Sequence, residues 1–254
     1  MALAFVQSSV GDRIVDGPLI VKWRPEVAPQ RRPQSTPVPA TLRLAFESRS
    51  SETAEIPRLS GFSMETLKPV VIDPTGLRSC PRRYVFAPDI PEAACDRSLV
   101  GHGSIISEVS LGPERPPSLV RGVFRAFYSD EGFLPDEGDH PGIIAVVKAR
   151  IPAPTSFVIP FTLAKTKGPA ARTRLFIPSG RIPERWSHIS AFNISLHRVF
   201  VDETGKRRSF VTATCPTPPG FQLVGFPFLY GTLTYANGEE LRVHDISTHC
   251  IIAH

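Results

Sequence analysis

Five carboxylates lie within the twelve-residue segment from Ser129 to His140. Carboxylate oxygens are the ligands that calcium prefers, and flexible acidic loops supply them. The EF-hand pattern, with alternating acidic positions and a glutamate at position 12, is absent from this segment. We therefore expect a solvated loop that binds calcium weakly at most, through Asp130, Asp136 and Asp139.

Two histidine-containing segments suggest nucleophilic or metal chemistry. His102 and Ser104 lie two residues apart, so they share one face of a strand, but no acid lies nearby in sequence to orient the histidine. The Gly-His-Gly-Ser sequence around them matches neither GxSxG, GxGxxG nor the P-loop. His244 and His249 are an odd number of positions apart, which places them on opposite faces of a strand. We predict no catalytic residues and no cofactor other than weakly bound calcium.

The four cysteines, Cys80, Cys95, Cys215 and Cys250, form no CxxC pair, which disfavours a zinc ribbon. An even number of widely spaced cysteines is typical of disulfides in an oxidising compartment. Three pairings are open, and the sequential one closes the shortest loops. Four free thiols in a reducing compartment is the alternative.

The segments that position these residues alternate as strands do. Apolar side chains recur at even spacings in three segments, which is the period of a strand. These sets are Ile105, Val109 and Leu111; Phe157, Ile159, Phe161 and Leu163; and Phe192, Ile194, Leu196 and Phe200. In the third segment Asn193, Ser195 and His197 face the opposite way, so one face of that strand is polar.

Turn residues and composition predict an antiparallel all-β fold. Asn237-Gly238 between two alternating runs is a strong hairpin signal, and the turn over 203–206 joins a second pair of strands. The 27 prolines and 18 glycines follow no period and disfavour a helical bundle. We predict an antiparallel β-sandwich or barrel-like sandwich, with one short helical turn around Pro91–Cys95.

The N-terminal region has a different composition. Residues 25–40 contain five prolines, which favour extended polyproline geometry, and the segment Ile14–Trp23 before them reads as a strand. We predict an N-terminal strand and proline-rich arm over 1–39, followed by a β-sandwich domain over 40–254. Because such an arm adds little to the core, its deletion is expected to leave a cooperative thermal transition.

Charge and hydropathy bear on the partners. The net charge is +5, but the basic residues are dispersed and no nucleic-acid-binding motif accompanies them, so we expect no nucleic-acid partner. No apolar run approaches the roughly 20 residues of a transmembrane helix. The first residues lack a basic n-region and a full apolar stretch, so an exported chain would have lost its signal peptide or would start further upstream.

An ordered series of motifs over residues 78–252 resembles a family of secreted, uncharacterised β-rich proteins of high-GC bacteria. The matching stretches are Ala94–Gly103, Pro154–Thr162, Ile189–Leu196, Gly205–Pro216 and Gly225–Phe228, followed by a hairpin and the late Cys250. The acidic loop over 129–140 is longer and more charged than the short polar turn expected there. The resemblance implies secretion and disulfides at the four cysteines, and it carries no catalytic residues.

Two functions follow as expectations. With cysteines at family-like positions, we predict the pairs Cys80–Cys95 and Cys215–Cys250 in a secreted or envelope-associated, non-enzymatic protein. Such a protein acts by binding an unidentified protein or cell-surface partner, or has a structural role. The alternative is an extracellular glycoside or ester hydrolase that uses carboxylates of the 129–140 loop. A glycoside hydrolase needs two carboxylates roughly 5 to 9.5 Å apart across one cleft.

Overall fold

The computed structural model describes residues 12–16, 19–50, 57–81, 83, 92–109, 118–131, 141–151, 153–165, 173–177, 186–218 and 220–253. They form an all-β fold, which confirms the predicted class. The strands are β1 (Asp12–Asp16), β2 (Leu19–Ala28), β3 (Arg31–Arg32), β4 (Val38–Pro39), β5 (Thr41–Ser50), β6 (Leu59–Thr66), β7 (Val70–Ile72), β8 (Leu99–Val109), β9 (Ser118–Ser129), β10 (Gly142–Ile151), β11 (Ala153–Lys165), β12 (Thr173–Ile177), β13 (Trp186–Leu196), β14 (Val199–Val201), β15 (Arg207–Ser209), β16 (Val211–Ala213), β17 (Leu223–Tyr235) and β18 (Glu240–Ile252).

Helical structure is short. The helix α1 (Glu92–Cys95) lies where the sequence predicts a helical turn, and a 3-10 turn (Asp96–Ser98) leads from it into β8. Within the described ranges, no helix has the length and apolar character that crossing a membrane requires.

A 13-stranded sheet curls until its ends approach each other. Its order is β1-β2-β5-β13-β8-β9-β10-β11-β12-β6-β17-β18-β3, and its neighbours are antiparallel except for β18 with β3. Strands β1 and β2 also contact β18, so the sheet is nearly closed and barrel-like. A three-stranded sheet, β4-β16-β7, and the β14–β15 hairpin complete the architecture.

An aromatic cluster fills the inside of the curled sheet. Phe62 in β6 stacks on Trp23 in β2 at a ring-centre distance of 6.2 Å and meets Phe161 in β11 edge-on at 6.3 Å. Phe192 in β13 lies 6.1 Å from Phe62 and stacks on Phe124 in β9 at 5.5 Å. Because these rings come from strands far apart in the sheet order, the cluster holds the curvature of the sheet. The opposite, outer face of β2, β5, β13 and β8 is largely exposed to solvent.

A second, smaller apolar cluster lies outside the sheet and contains a disulfide. Ile144 and Val146 of β10 alternate with inward-facing residues and pack, together with Phe127 of β9, against Cys80 and Cys95. The backbone N–H of Cys80 donates to the carbonyl of Tyr128 at 2.8 Å, which fixes the covering segment to β9. This part of the sheet is therefore buried on both faces.

Both predicted disulfides are present. Cys80 is bonded to Cys95 with a Cα–Cα distance of 5.0 Å, and Cys215 to Cys250 with 5.7 Å. The second bond joins the segment that follows β16 to β18, so it ties the three-stranded sheet to the large one. The sequential pairing predicted from the cysteine positions is confirmed.

The N-terminal region differs from the sequence expectation. Over its whole length Leu19–Ala28 pairs with Thr41–Ser50, and the side chains of Trp23 and Val27 are completely buried in the core. The expectation that the proline-rich segment between Pro25 and Pro39 adds little to the core is therefore wrong at Val27. The alternation of inward and outward side chains continues to Val27, which faces the core. Pro25 lies within the strand, opposite Leu44.

Candidate functional site

A polar groove of about 490 Å³ lies on the outer face of β2, β5, β13 and β8. Its size falls in the range of small-molecule sites, about 300 to 1,000 Å³. Its lining consists of Arg24, Glu26, Thr41, Arg43, Leu44, Ala45, His102, Asn193, Ile194, Ser195 and His197. Most of these residues are the outward members of alternating strands whose inward members form the aromatic core.

Strand register aligns five polar residues in one row across this face. Glu26 is paired with Arg43, Arg43 with Ser195, Ser195 with His102, and His102 with Arg125. Directly paired side chains on one face of an antiparallel sheet lie about 4.5–5.5 Å apart at Cβ. The row therefore brings together, over the groove, residues that are far apart in the chain.

Three arginines on this face have a carboxylate partner. Arg43 Nη1 donates to Glu26 Oε2 at 3.1 Å, and Arg24 Nη1 lies 3.3 Å from Glu47 Oε1. Arg125 Nη2 lies 2.8 Å from Oδ1 of Asp96, the residue that follows α1. These pairs are solvated, and such pairs contribute only about 0–1 kcal/mol to stability. They orient the guanidinium groups and leave the groove without a large excess of charge.

Two histidines stand side by side at the groove. The rings of His102 and His197 meet edge-on with centres 5.6 Å apart, and the backbone N–H of His197 donates to the carbonyl of Val100 at 2.8 Å. Burial lowers the pKa of His197, and the neighbouring charges of His102, Arg43 and Arg198 lower it further. At neutral pH His197 is therefore a neutral imidazole beside the guanidinium of Arg43.

Two glycines allow His102 to take this position. A methyl group at Gly101 would overlap the carbonyl oxygen of Ser195, and one at Gly103 would overlap the carbonyl oxygen of Asn193 and the ring of Phe124. The register with β9 shifts between Leu99 and Gly101, which is an irregularity at the start of β8. The glycines therefore allow β8 to pack closely against β13 and β9.

His102 and Ser104 share the outer face, as their spacing predicts. Asn193 Nδ2 donates to Ser104 Oγ across β8 and β13, so this hydroxyl is engaged in a cross-strand contact. His249 is exposed on β18 and is not among the residues that line the groove, and the side chain of His244 lies outside the described residues.

Of the three predicted calcium ligands, the structure describes only Asp130. It is exposed at the end of β9, and its backbone N–H donates to Ser79 Oγ at 3.0 Å. Burial is the main cause that raises the pKa of the neighbouring Tyr128 to about 12, and the negative charges of Asp130 and Asp73 contribute to the same shift. Asp136 and Asp139 lie outside the described residues, so weak calcium binding remains a prediction. Within the described part of the chain, no three His, Cys, Asp or Glu residues are grouped to hold a metal.

Sequence reasoning identified one polar strand face of the groove but did not predict the groove itself. The polar positions of β13, Asn193, Ser195 and His197, stand out in the sequence because they alternate with Phe192, Ile194 and Leu196. Arg43 and Glu26 were missed, although Thr41–Arg49 alternates polar and apolar residues in the same way. The signal for both residues was the same two-residue period. Glu26 lies within the proline-rich region, and Arg43 lies just after it.

Comparisons with models of protein families, with curated proteins and with solved structures find no match to this chain.

Proposed function

We propose that this protein is exported, is braced by its two disulfides, and acts by binding through the outer face of β2, β5, β13, β8 and β9. The observation that carries the proposal is the polar row from Glu26 to Arg125, of which four of the five residues line the groove on a face of the sheet open to solvent. A sheet face that is only solvated needs no concave site lined by paired ions, imidazoles and amides.

Export is supported by the disulfides and by the resemblance. Disulfides persist in oxidising compartments and are rare in the cytosol of most cells. Cys80–Cys95 closes the outer cluster and Cys215–Cys250 joins two sheets, so both bonds brace the framework that carries the outer face. An extracellular or envelope-associated location follows from the same argument.

The side chains around the imidazoles favour binding over catalysis. Ser195 is directly opposite His102 in the register, the placement that a serine nucleophile and its base would use. A triad also needs a carboxylate that orients the histidine. Here the charges acting on the His197 imidazole are cationic, and Glu26 is engaged by Arg43.

Site-specific photo-crosslinking tests the proposal. A photoreactive amino acid at Val123, 66% exposed beside the polar row in β9, is compared with one at Val201, 67% exposed on the β14–β15 hairpin. In the producing cells we expect a discrete adduct from position 123 and none from position 201. Equal labelling at both positions, or no adduct from position 123 in protein with unchanged thermal unfolding, contradicts the proposal.

The alternative hydrolase is tested separately. Purified protein is assayed with ester and glycoside substrates, alongside Ser195→Ala and Asp136→Ala. We expect no turnover by any of the three proteins. Turnover lost in Asp136→Ala favours the acidic-loop hydrolase, and turnover lost in Ser195→Ala favours a serine hydrolase at the groove.

A further inference from the structure

The two imidazoles control the charge of the groove. The charges of Arg24 and Arg43 are matched by the carboxylates of Glu47 and Glu26 at 3.3 and 3.1 Å. With both histidines neutral, each arginine that lines the groove is therefore matched by a carboxylate. Protonation of His102 and His197 adds two positive charges at ring centres 5.6 Å apart. Two cations at this separation repel each other unless an anion lies between or beside them.

The charged surroundings of the imidazoles favour an anion and not a metal cation. Arg43 comes from β5 and Arg198 follows β13, and both lower the pKa of His197. From β9, Arg125 is directly paired with His102 and is bound to Asp96 at 2.8 Å. The carboxylate that lines the groove, Glu26 of β2, is already engaged by Arg43. A metal ion at the histidines would meet guanidinium groups, whereas an anion would meet their N–H donors.

The uncharged lining specifies the rest of the ligand. Thr41, Asn193 and Ser195 offer hydroxyl and amide groups along the groove, and the carboxylate of Glu26 accepts hydrogen bonds. A ligand that carries hydroxyl groups next to a single carboxylate matches this lining. A phosphate dianion matches it less well, because it would bring two charges close to Glu26 and has no hydroxyl donors to offer.

We infer that the groove binds a small hydroxy acid, with its carboxylate at the His102–His197 pair beside Arg43 and its hydroxyl groups toward Glu26, Asn193 and Ser195. Binding is coupled to proton uptake, because the carboxylate is held more tightly when the imidazoles are charged. The inference rests on the proposed binding function and specifies the chemistry of its ligand.

The pH dependence has a definite sign. An anion stabilises the protonated imidazole of His197, so the pKa of His197 is higher in the complex than in the free protein. Affinity therefore rises as the pH falls through the interval between the two values, by about tenfold per unit for each proton taken up. The pKa of a carboxylic acid is about 4, so the ligand remains an anion over this interval. The affinity gain then comes from the protein.

Isothermal titration calorimetry at pH 7.5, 6.5 and 5.5 tests the inference with two matched pairs of probes. D-galacturonate is compared with D-galactose, and lactate with lactamide, so that each acid has an uncharged analogue. We expect saturable binding of the acids only, with Kd falling at least about tenfold between pH 7.5 and 5.5. His197→Gln should remove most of this dependence. His249→Gln, which replaces an exposed imidazole outside the groove, should retain it.

Other outcomes overturn the inference. No saturable binding of either acid at pH 5.5, equal binding of the uncharged analogues, or inorganic phosphate binding as tightly as the acids each contradict the hydroxy-acid assignment. Zinc binding that depends on His102 and His197, with no effect of the acids, would replace it with a metal site. Crosslinking at Val123 without acid binding leaves the proposed function standing and removes only this ligand.

Discussion

The indole of Trp23 in β2 lies against the backbone of Gly231 in β17, so that a Cβ built at Gly231 would be 2.8 Å from Cη2 of the ring. β2 and β17 are near opposite ends of the large sheet, so this contact helps to close the curl that presents the outer face. The fully buried indole has no room to retreat.

Gly231→Ala should therefore destabilise the protein by about 1–3 kcal/mol, the usual effect of overpacking a core. Gly225→Ala in the same strand is the matched control, because its methyl group would meet only the exposed imidazole of His249 at 3.3 Å. Urea unfolding of both variants measures the difference. Equal stabilities would show that the contact between β2 and β17 is not tight.

Deletion of residues 1–39 should abolish cooperative unfolding, contrary to the expectation from the proline content. The deletion removes β2, and with it the completely buried Trp23 and Val27 and the pairing partner of β5. The point variant Trp23→Ala should lose about 3–5 kcal/mol. Circular dichroism and calorimetric melting are the measurements, and a sharp thermal transition in the deletion variant would contradict the placement of β2.

The two disulfides should differ in their contribution to stability. They close loops of 15 and 35 residues, which on the loop-entropy model corresponds to about 3 and about 4 kcal/mol. Cys80→Ala/Cys95→Ala and Cys215→Ala/Cys250→Ala should lose these amounts in denaturant unfolding. Thiol titration of the unfolded wild-type chain should find no free thiol, and four titratable thiols under non-reducing conditions would contradict both bonds.

Stability should fall as the pH falls below 7, in part through His188. This histidine of β13 is buried, and burial lowers its pKa from the ordinary 6.5, although the Glu108 charge and a hydrogen bond with the Ser48 backbone act to raise it. At pH values between 6.5 and the lower pKa of His188 in the folded protein, the unfolded chain binds more protons than the folded chain. Acidification through this interval therefore favours unfolding. His188→Gln should lose less stability than wild type between pH 7 and 5, and His249→Gln should behave as wild type. An unchanged slope in His188→Gln would exclude this histidine as a source.

Local pattern predicted the strands well, and long-range pairing limited the prediction of the site. The alternation of Phe192, Ile194 and Leu196 is a property of one strand, so both of its faces were identified from the sequence. The meeting of Ser195 with both Arg43 and His102 depends on β13 lying between β5 and β8. That order is set by packing of the aromatic core across the curled sheet, which no local spacing encodes.

The proline-rich region shows a second limit. Pro25 suggested an arm because proline lacks a backbone donor, yet it lies within β2 opposite Leu44. What decides the conformation is the burial of Trp23 and Val27 on either side of it. The proline content of the segment therefore does not predict its conformation, whereas the even spacing of the apolar residues Trp23 and Val27 is that of the observed strand.

The central claim, that the outer groove binds a small hydroxy acid, is tested most directly by amide chemical shifts of ¹⁵N-labelled protein titrated with D-galacturonate at pH 5.5. The account predicts saturable shifts centred on Arg43, His102, Ser195 and His197, which weaken strongly in Arg43→Ala. Shifts centred on the acidic loop over 129–140, or no saturable shifts at the four groove residues, would contradict it.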